Sequence, residues 1–206
     1  MHIPDGFLSP FVAIASLAIS VTFLIFSINK IRSRKLLTSD RISIFTSLSA
    51  GIFIAQMIAW PIPGGTSLHL VGGALAGIIM GPWLGSISMS LVLLIQCIIF
   101  HDGGITALGA NILCMGIIAV ISGYIAYRIL KAFSPQFVAG TIAGWLSLTL
   151  AGLACGVILW ASWGNPLPIY VMGIWHSILG IIEGVITGSI ISYLSIKAGN
   201  IWGWNK

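Results

Sequence analysis

Met1-His2-Ile3-Pro4-Asp5-Gly6-Phe7-Leu8-Ser9-Pro10 opens the chain and decides how the rest is read. The stretch has no basic n-region, and the long apolar run begins only after it, so it does not read as a secretory signal. Ser9-Pro10 is a helix start, an N-cap residue followed by proline at the first helical position. The ten residues therefore read as a short tail joined directly to a helix, with Pro4 stiffening the exit from His2. In that tail an α-amine, the amide nitrogen of residue 2 and the imidazole of His2 stand in a row. A metal held by amine and amide closes a five-membered ring, and one held by amide and Nδ1 closes a six-membered ring. Both are unstrained, and one further imidazole completes a square of four nitrogens, a geometry that suits Ni(II) and Cu(II). The plain alternative is a frayed terminus that does nothing.

Composition fixes the environment. Of 206 residues, 58% are hydrophobic and only 6% charged, with a mean hydropathy of +1.09. A soluble domain carries about 25% charged residues. The chain is thus expected to be an all-α integral membrane protein, its long apolar runs excluding a barrel. The net charge of +5 does not indicate nucleic-acid binding, because the few basic residues sit at loops, where orientation in a membrane places them. Cys97, Cys114 and Cys155 fall in apolar stretches and read as small buried hydrophobes.

Working outward from the tail, the first span is expected from about Phe11 to Ile28. A cluster of Lys30, Arg32, Arg34, Lys35, Asp40 and Arg41 follows, which places that loop in the cytoplasm and the N-terminus outside. Anionic lipid is a natural contact for such a loop. The second span runs from about Ile42 to Trp60, with Ser47, Gly51, Ala55 and Ala59 forming a ridge of small residues. That ridge suits close approach by a neighbouring helix, from this chain or from a separate membrane subunit. The loop 61–69 carries Pro61, Pro63, Gly64 and Gly65 and ends at His69.

The segment Leu70–Met80 is too short to span straight, since roughly 20 residues are needed. Its start is therefore either embedded or continued into the loop, where irregular backbone lines a cavity. Gly81-Pro82-Trp83 turns the chain. Further spans run from about Leu84 to Phe100, Ile105 to Ile129, Gln136 to Ala161 and Ile169 to Ile196. This makes about seven in all, with every lysine and arginine, Lys197 and Lys206 included, on the cytoplasmic side.

His101 stands in the outer turn 101–104, Asn111 early in the fifth span, and His176 and Glu183 on one face of the seventh. Ionisable groups inside a membrane are costly and functional by default. His176 and Glu183 read either as a polar clamp between helices or as part of an ion pathway. The four-nitrogen site takes Met1, His2 and one other imidazole. His69 is the best candidate, since its glycine-rich surroundings allow close approach. His101 is the second choice, or else an outer or supporting group together with Asn111.

Four motifs, MHIPDGFLSP at 1–10, PIPGGTSLHLVGGALAGIIMGPW at 61–83, HDGGITALGAN at 101–111 and WHSILGIIEGVIT at 175–187, resemble the CbiM/NikM family. These are the substrate-binding (S) components of nickel and cobalt energy-coupling-factor (ECF) transporters. The resemblance covers nearly the whole chain. It implies a six-helix core plus an extra N-terminal helix that delivers residues 1–10 as a chelating tail to a single transmembrane metal-binding domain spanning 1–206. Met1 and His2 match the family chelate, and His69 matches the histidine that completes it. The opening MHIPDG leans to the nickel branch, since cobalt members more often have Met-Glu at positions 4 and 5. Leu68 departs from the pattern, which has a smaller residue before the histidine.

The implied partners are a transmembrane coupling (T) protein, two cytoplasmic ATPase subunits and, often, a small accessory membrane subunit. This chain contains no nucleotide-binding motif of its own. The expected role is non-enzymatic, with no catalytic cofactor. The protein captures Ni(II), or Co(II), outside the cell membrane for ATP-driven uptake, with its C-terminus cytoplasmic. A four-nitrogen plane disfavours tetrahedral Zn(II). Copper would bind more tightly still, so its exclusion rests on availability or redox state. The competing reading is an intramembrane metalloenzyme using His69, His101, His176 and Glu183, although HExxH is absent. A passive channel gives no reason for histidine at position 2.

Overall fold

The computed structural model describes residues 1–62 and 66–197. Residues 63–65 of the loop and everything after Lys197, Lys206 included, lie outside the described residues. The described residues form six helices: α1 Pro10–Ser33, α2 Ser39–Met57, α3 Gly73–Ile99, α4 Leu108–Leu130, α5 Gln136–Trp163 and α6 Leu167–Lys197. Between α2 and α3 lies a short hairpin, β1 Trp60–Ile62 antiparallel to β2 Thr66–Leu68, with Trp60 opposite Leu68. This ordered ladder stands where the two prolines and two glycines predicted irregular backbone. All the helices but α2 are long and apolar enough to cross a membrane, which makes five such helices among the described residues.

The predicted count of seven is corrected by α3. The segments read as a short third span and a separate fourth form one element, broken at Gly81, where φ is 80° and ψ 167°. Only glycine adopts that backbone readily. The break folds the two arms alongside each other, since a Cβ on Gly85 would lie 2.9 Å from the Ala76 carbonyl oxygen. Pro82 follows immediately and supplies the first turn of the returning arm, where its missing N–H costs nothing.

α1 starts as predicted. Ser9 is the N-cap and its side chain accepts from the Val12 N–H, with Pro10 next. The helix turns its serines inward: Ser16, Ser20 and Ser27 are buried, whereas Phe11, Ile14, Ile19 and Ile25 are exposed. Lipid accepts the large apolar side chains, and the small residues let α1 approach the bundle closely. Ser20 Oγ donates to the Gly109 carbonyl at 2.7 Å, which anchors α1 to the start of α4.

α4 opens as an α-helix, widens to a π-helix over Ile112–Ile118 and reverts to α from Ala119. Such wide turns are frequent at functional sites, and this one begins directly after Asn111. α5 and α6 pack antiparallel through facing small residues. A Cβ on Gly140 or Gly144 would meet the backbone of Gly188 or Gly184 at 2.8 Å. The core these elements enclose contains Met1 and Ile3 of the tail, buried to 1% and 3% exposure. Cys97, Cys114 and Cys155 are buried free thiols, as predicted.

The Gly81 break carries the first prediction. Gly81→Ala, with open space around the new methyl, should still destabilise by roughly 1–3 kcal/mol through backbone strain alone. Gly51→Ala, in the interior of α2 and also facing open space, should be neutral or stabilising by about 0.5–1 kcal/mol. Thermal unfolding of the two purified variants checks both. Equal behaviour would contradict the bent geometry.

Candidate metal centre

The tail enters the bundle as an extended segment whose backbone is held from three sides. The Ile3 N–H donates to Asn111 Oδ1 at 2.8 Å, and Asn111 Nδ2 donates back to the Ile3 carbonyl at 3.1 Å. The Gly104 N–H donates to the same carbonyl at 2.9 Å. A Cβ on Gly104 would fall 2.3 Å from the Asp5 nitrogen, so only glycine lets the turn lie flat on the tail. Asp5 Oδ1 accepts from both the N–H and the hydroxyl of Thr106. These bonds hold its carboxyl below the usual range. Further along, the Trp163 indole donates to the Phe7 carbonyl at 2.8 Å and the Ser9 N–H donates to Ser162 Oγ. At the buried end, Cys155 Sγ lies 3.8 Å from the Met1 carbonyl.

This docking brings His2 onto His69. Their rings stack nearly parallel, with centroids 4.6 Å apart and 15° between planes. Each imidazole has one nitrogen committed to an oxygen that can only accept. His2 Nε2 pairs with Gln96 Oε1 at 3.2 Å, and His69 Nδ1 with the Leu70 carbonyl at 2.9 Å. The proton must therefore sit on the committed nitrogen. The opposite nitrogens, His2 Nδ1 and His69 Nε2, are buried and receive no hydrogen bond. Asp102 Oδ1 lies 3.2 Å from His2 Nδ1, off the line of a hydrogen bond. Burial pushes the Met1 amine down to about 5 and His2 down to about 3, and it holds His69 well below its ordinary value. At neutral pH the cluster is a set of uncharged nitrogen donors.

His176 repeats the pattern. It is fully buried, its Nδ1 donates to the Met172 carbonyl at 2.8 Å, and its Nε2 has no partner. It lies within electrostatic reach of His69, where α6 crosses α5 so closely that a Cβ on Gly152 would touch it. Glu183 plays a different part. Its two carboxylate oxygens accept the N–H groups of Val71 (2.6 Å) and Gly72 (2.9 Å), and Gln56 donates to the Val71 carbonyl at 2.6 Å. Of the two roles open from sequence, Glu183 serves as the clamp. It holds the segment that carries His69 at the start of α3.

The structure thus brings Met1, His2, His69 and the supporting Asn111 together. It does not bring in His101, which is exposed in its turn with φ of 56° and shares none of the cluster's hydrogen bonds or ring contacts. Sequence reading missed Gln96, which orients His2, and Gln56, which steadies Val71. A glutamine within an apolar run was their one visible signal.

The family model described as CbiM, cobalt uptake substrate-specific transmembrane region, matches residues 2–200. A putative fused nickel transport protein of Archaeoglobus fulgidus is 46% identical over 95% of the chain, which spans 65% of that relative's length. A cobalt transport protein of Clostridium tetani is 30% identical over 94% of this chain and 84% of its own. A crystal structure of a truncated transition metal transporter superposes with a TM-score of 0.89 at 33% identity, covering 96% of this chain and 99% of that one.

Asn111 generates the second prediction. Asn111→Ala removes both side-chain bonds to Ile3 and should loosen the tail without unfolding the bundle. Nickel affinity, measured by calorimetry on the purified protein, should fall roughly 10- to 100-fold.

Proposed function

This chain belongs to the CbiM family of cobalt uptake substrate-specific transmembrane regions, and from that membership we propose that it captures Ni(II), or Co(II), as cargo for uptake. One observation carries the reading. The tail and α3 place two buried imidazoles face to face, each presenting a lone pair that no protein donor satisfies. The proposed ligands are the Met1 amine, the His2 amide nitrogen, His2 Nδ1 and His69 Nε2. Asn111 and Gln96 orient them from outside the set. The relatives named as nickel and cobalt transport proteins support this cargo class.

The rest of the proposal follows from placement. The basic loops lie at the end remote from the tail, so the tail faces outward and the end of α6 faces the cytoplasm. Movement of the ion is driven from elsewhere, by a coupling protein with two ATPase subunits and, where present, a small accessory membrane subunit. Of the small-residue ridge, Ser47, Gly51 and Ala55 lie on α2 and offer the coupling protein a close approach, whereas Ala59 falls beyond the helix end at Met57. At Gly51 a Cβ would meet nothing within 4 Å. The intramembrane metalloenzyme is not favoured. Its needed base, Glu183, has both carboxylate oxygens engaged by backbone N–H groups.

Two predictions test the chelate. One residue added before Met1 displaces the amine and should abolish tight nickel binding, and His69→Ala should do the same by leaving three ligands. Undiminished binding by the extended protein would overturn the N-terminal site. The other concerns protons. With the amine already neutral because burial brings it to about 5, nickel binding at pH 7 should release about one proton, from the His2 amide. An amine at its ordinary value near 8 would release about two. Below about pH 5 the amine regains its proton, and affinity should fall more steeply as pH drops. Calorimetry in buffers of differing ionisation enthalpy reads the proton count.

A further inference from the structure

At the end of the bundle opposite the tail lies a cavity of about 280 Å³. Three separate stretches bring cations to its wall: Arg34 from the α1–α2 loop, Arg41 from the first turn of α2, and Arg128 with Lys131 from the end of α4. Among the described residues no carboxylate lines it. Of the chain's four acids, Asp5 is engaged by Thr106 and Asp102 faces His2, both at the tail end, and Glu183 is bound to Val71 and Gly72. Asp40 alone belongs to the basic end, and it lines a different cavity beside Arg41. The guanidinium groups of Arg34, Arg41 and Arg128 share one space, and such like charges repel each other unless an anion joins them.

The wall is built as well as charged. The Arg128 guanidinium sits 5.9 Å from the Tyr124 ring centre, and the Lys131 ammonium lies at the same distance from Tyr127. Trp83, also in the wall, packs against Phe23 and Phe26 of α1. Aromatic rings of this kind mark the level of lipid headgroups. Beside them Phe26, Ile129 and Phe133 are exposed large apolar side chains, suited to acyl chains. Arginine forks match phosphate oxygens two at a time.

We propose that this cavity binds a phosphate-bearing anion, supplied by the phosphodiester headgroup of an anionic membrane lipid. The bend of α3 at Gly81 borders the same cavity. A bound headgroup therefore fixes the turn of the helix whose other end carries His69. The proposal does not depend on the identity of the cargo.

The test uses the full chain and native mass spectrometry, with phosphatidylglycerol, phosphatidylcholine or inorganic phosphate added separately. Wild type should retain phosphatidylglycerol and not phosphatidylcholine. The pair Arg34→Gln/Arg128→Gln should weaken that retention roughly tenfold to thirtyfold. The control pair Arg32→Gln/Lys35→Gln, same loop region but outside the cavity wall, should change it by less than about threefold. Both variants should bind nickel as wild type does, which certifies their fold. Equal loss in both pairs, or equal retention of phosphatidylcholine, would overturn the site as diffuse attraction or unspecific lipid. Retention of inorganic phosphate with no phosphatidylglycerol would overturn the lipid source. Loss of a coupling protein from the assembled complex, with phosphatidylglycerol retention intact in the cavity pair, would overturn it in favour of a protein ligand.

Discussion

A polar chain terminus buried inside an apolar bundle needs its hydrogen bonds supplied by the bundle, and the architecture around residues 1–9 follows from that need. Water does not reach Met1 or Ile3, so each backbone group left unpaired there would cost several kcal/mol in a membrane setting. Asn111 answers the Ile3 N–H and carbonyl together, and the Gly104 N–H shares that carbonyl. Thr106 secures Asp5, and Trp163 with Ser162 secures Phe7 and Ser9. These groups come from the turn after α3, the start of α4 and the end of α5. The tail is therefore a component of the core that three elements are shaped to receive.

The second anchored element is the short arm of α3. An amphipathic helix in water is placed by its apolar face. This arm is apolar all round and is placed by polar contacts at its start and a backbone break at its finish. Glu183 binds the N–H groups of Val71 and Gly72, immediately before the first helical residue, and so satisfies donors that no helical carbonyl can reach. Gly81 then reverses the chain. His69 sits just before the Glu183 clamp, so its position depends on α6 as much as on its own helix. This division puts the two halves of the proposed ligand set on independent supports, the tail on α4 and His69 on α6.

The sequence revealed much of this and concealed some of it, for separable reasons. α1, α5 and α6 were legible because long apolar runs ended by Ser-Pro, charges or Gly-Asn-Pro admit one reading. The tail with His69 was legible because consecutive donor atoms and a shared side of the membrane are properties of the chain itself. The hairpin Trp60–Leu68 was hidden, since two prolines and two glycines argue against a ladder. The span count failed at Gly81, where a tight reversal and two separate helices have the same residues. The π-helix after Asn111 left no trace, because Ile112–Ile118 has ordinary helix-forming composition. Gln96 and Gln56 were passed over because their partners, His2 and Val71, lie 94 and 15 residues away.

The arrangement also constrains how an ion held in the proposed set would leave. Three of the four nitrogens belong to one dipeptide, and no movement of helices separates them from one another. The fourth, His69 Nε2, belongs to a different rigid element held by Glu183 and Gln56. A shift of α6 relative to α4 would therefore change one ligand distance and leave three untouched, turning a closed square into an open edge. Withdrawing a single imidazole is the smallest displacement that weakens such a site, and it needs no unfolding of the tail. For an ion held in the proposed set, the point of control would then be the Val71–Glu183 contact, at the start of the arm that ends at Gly81. A motion imposed at the basic end reaches His69 through the eight residues Gly73–Met80, about 12 Å of helix at its normal rise.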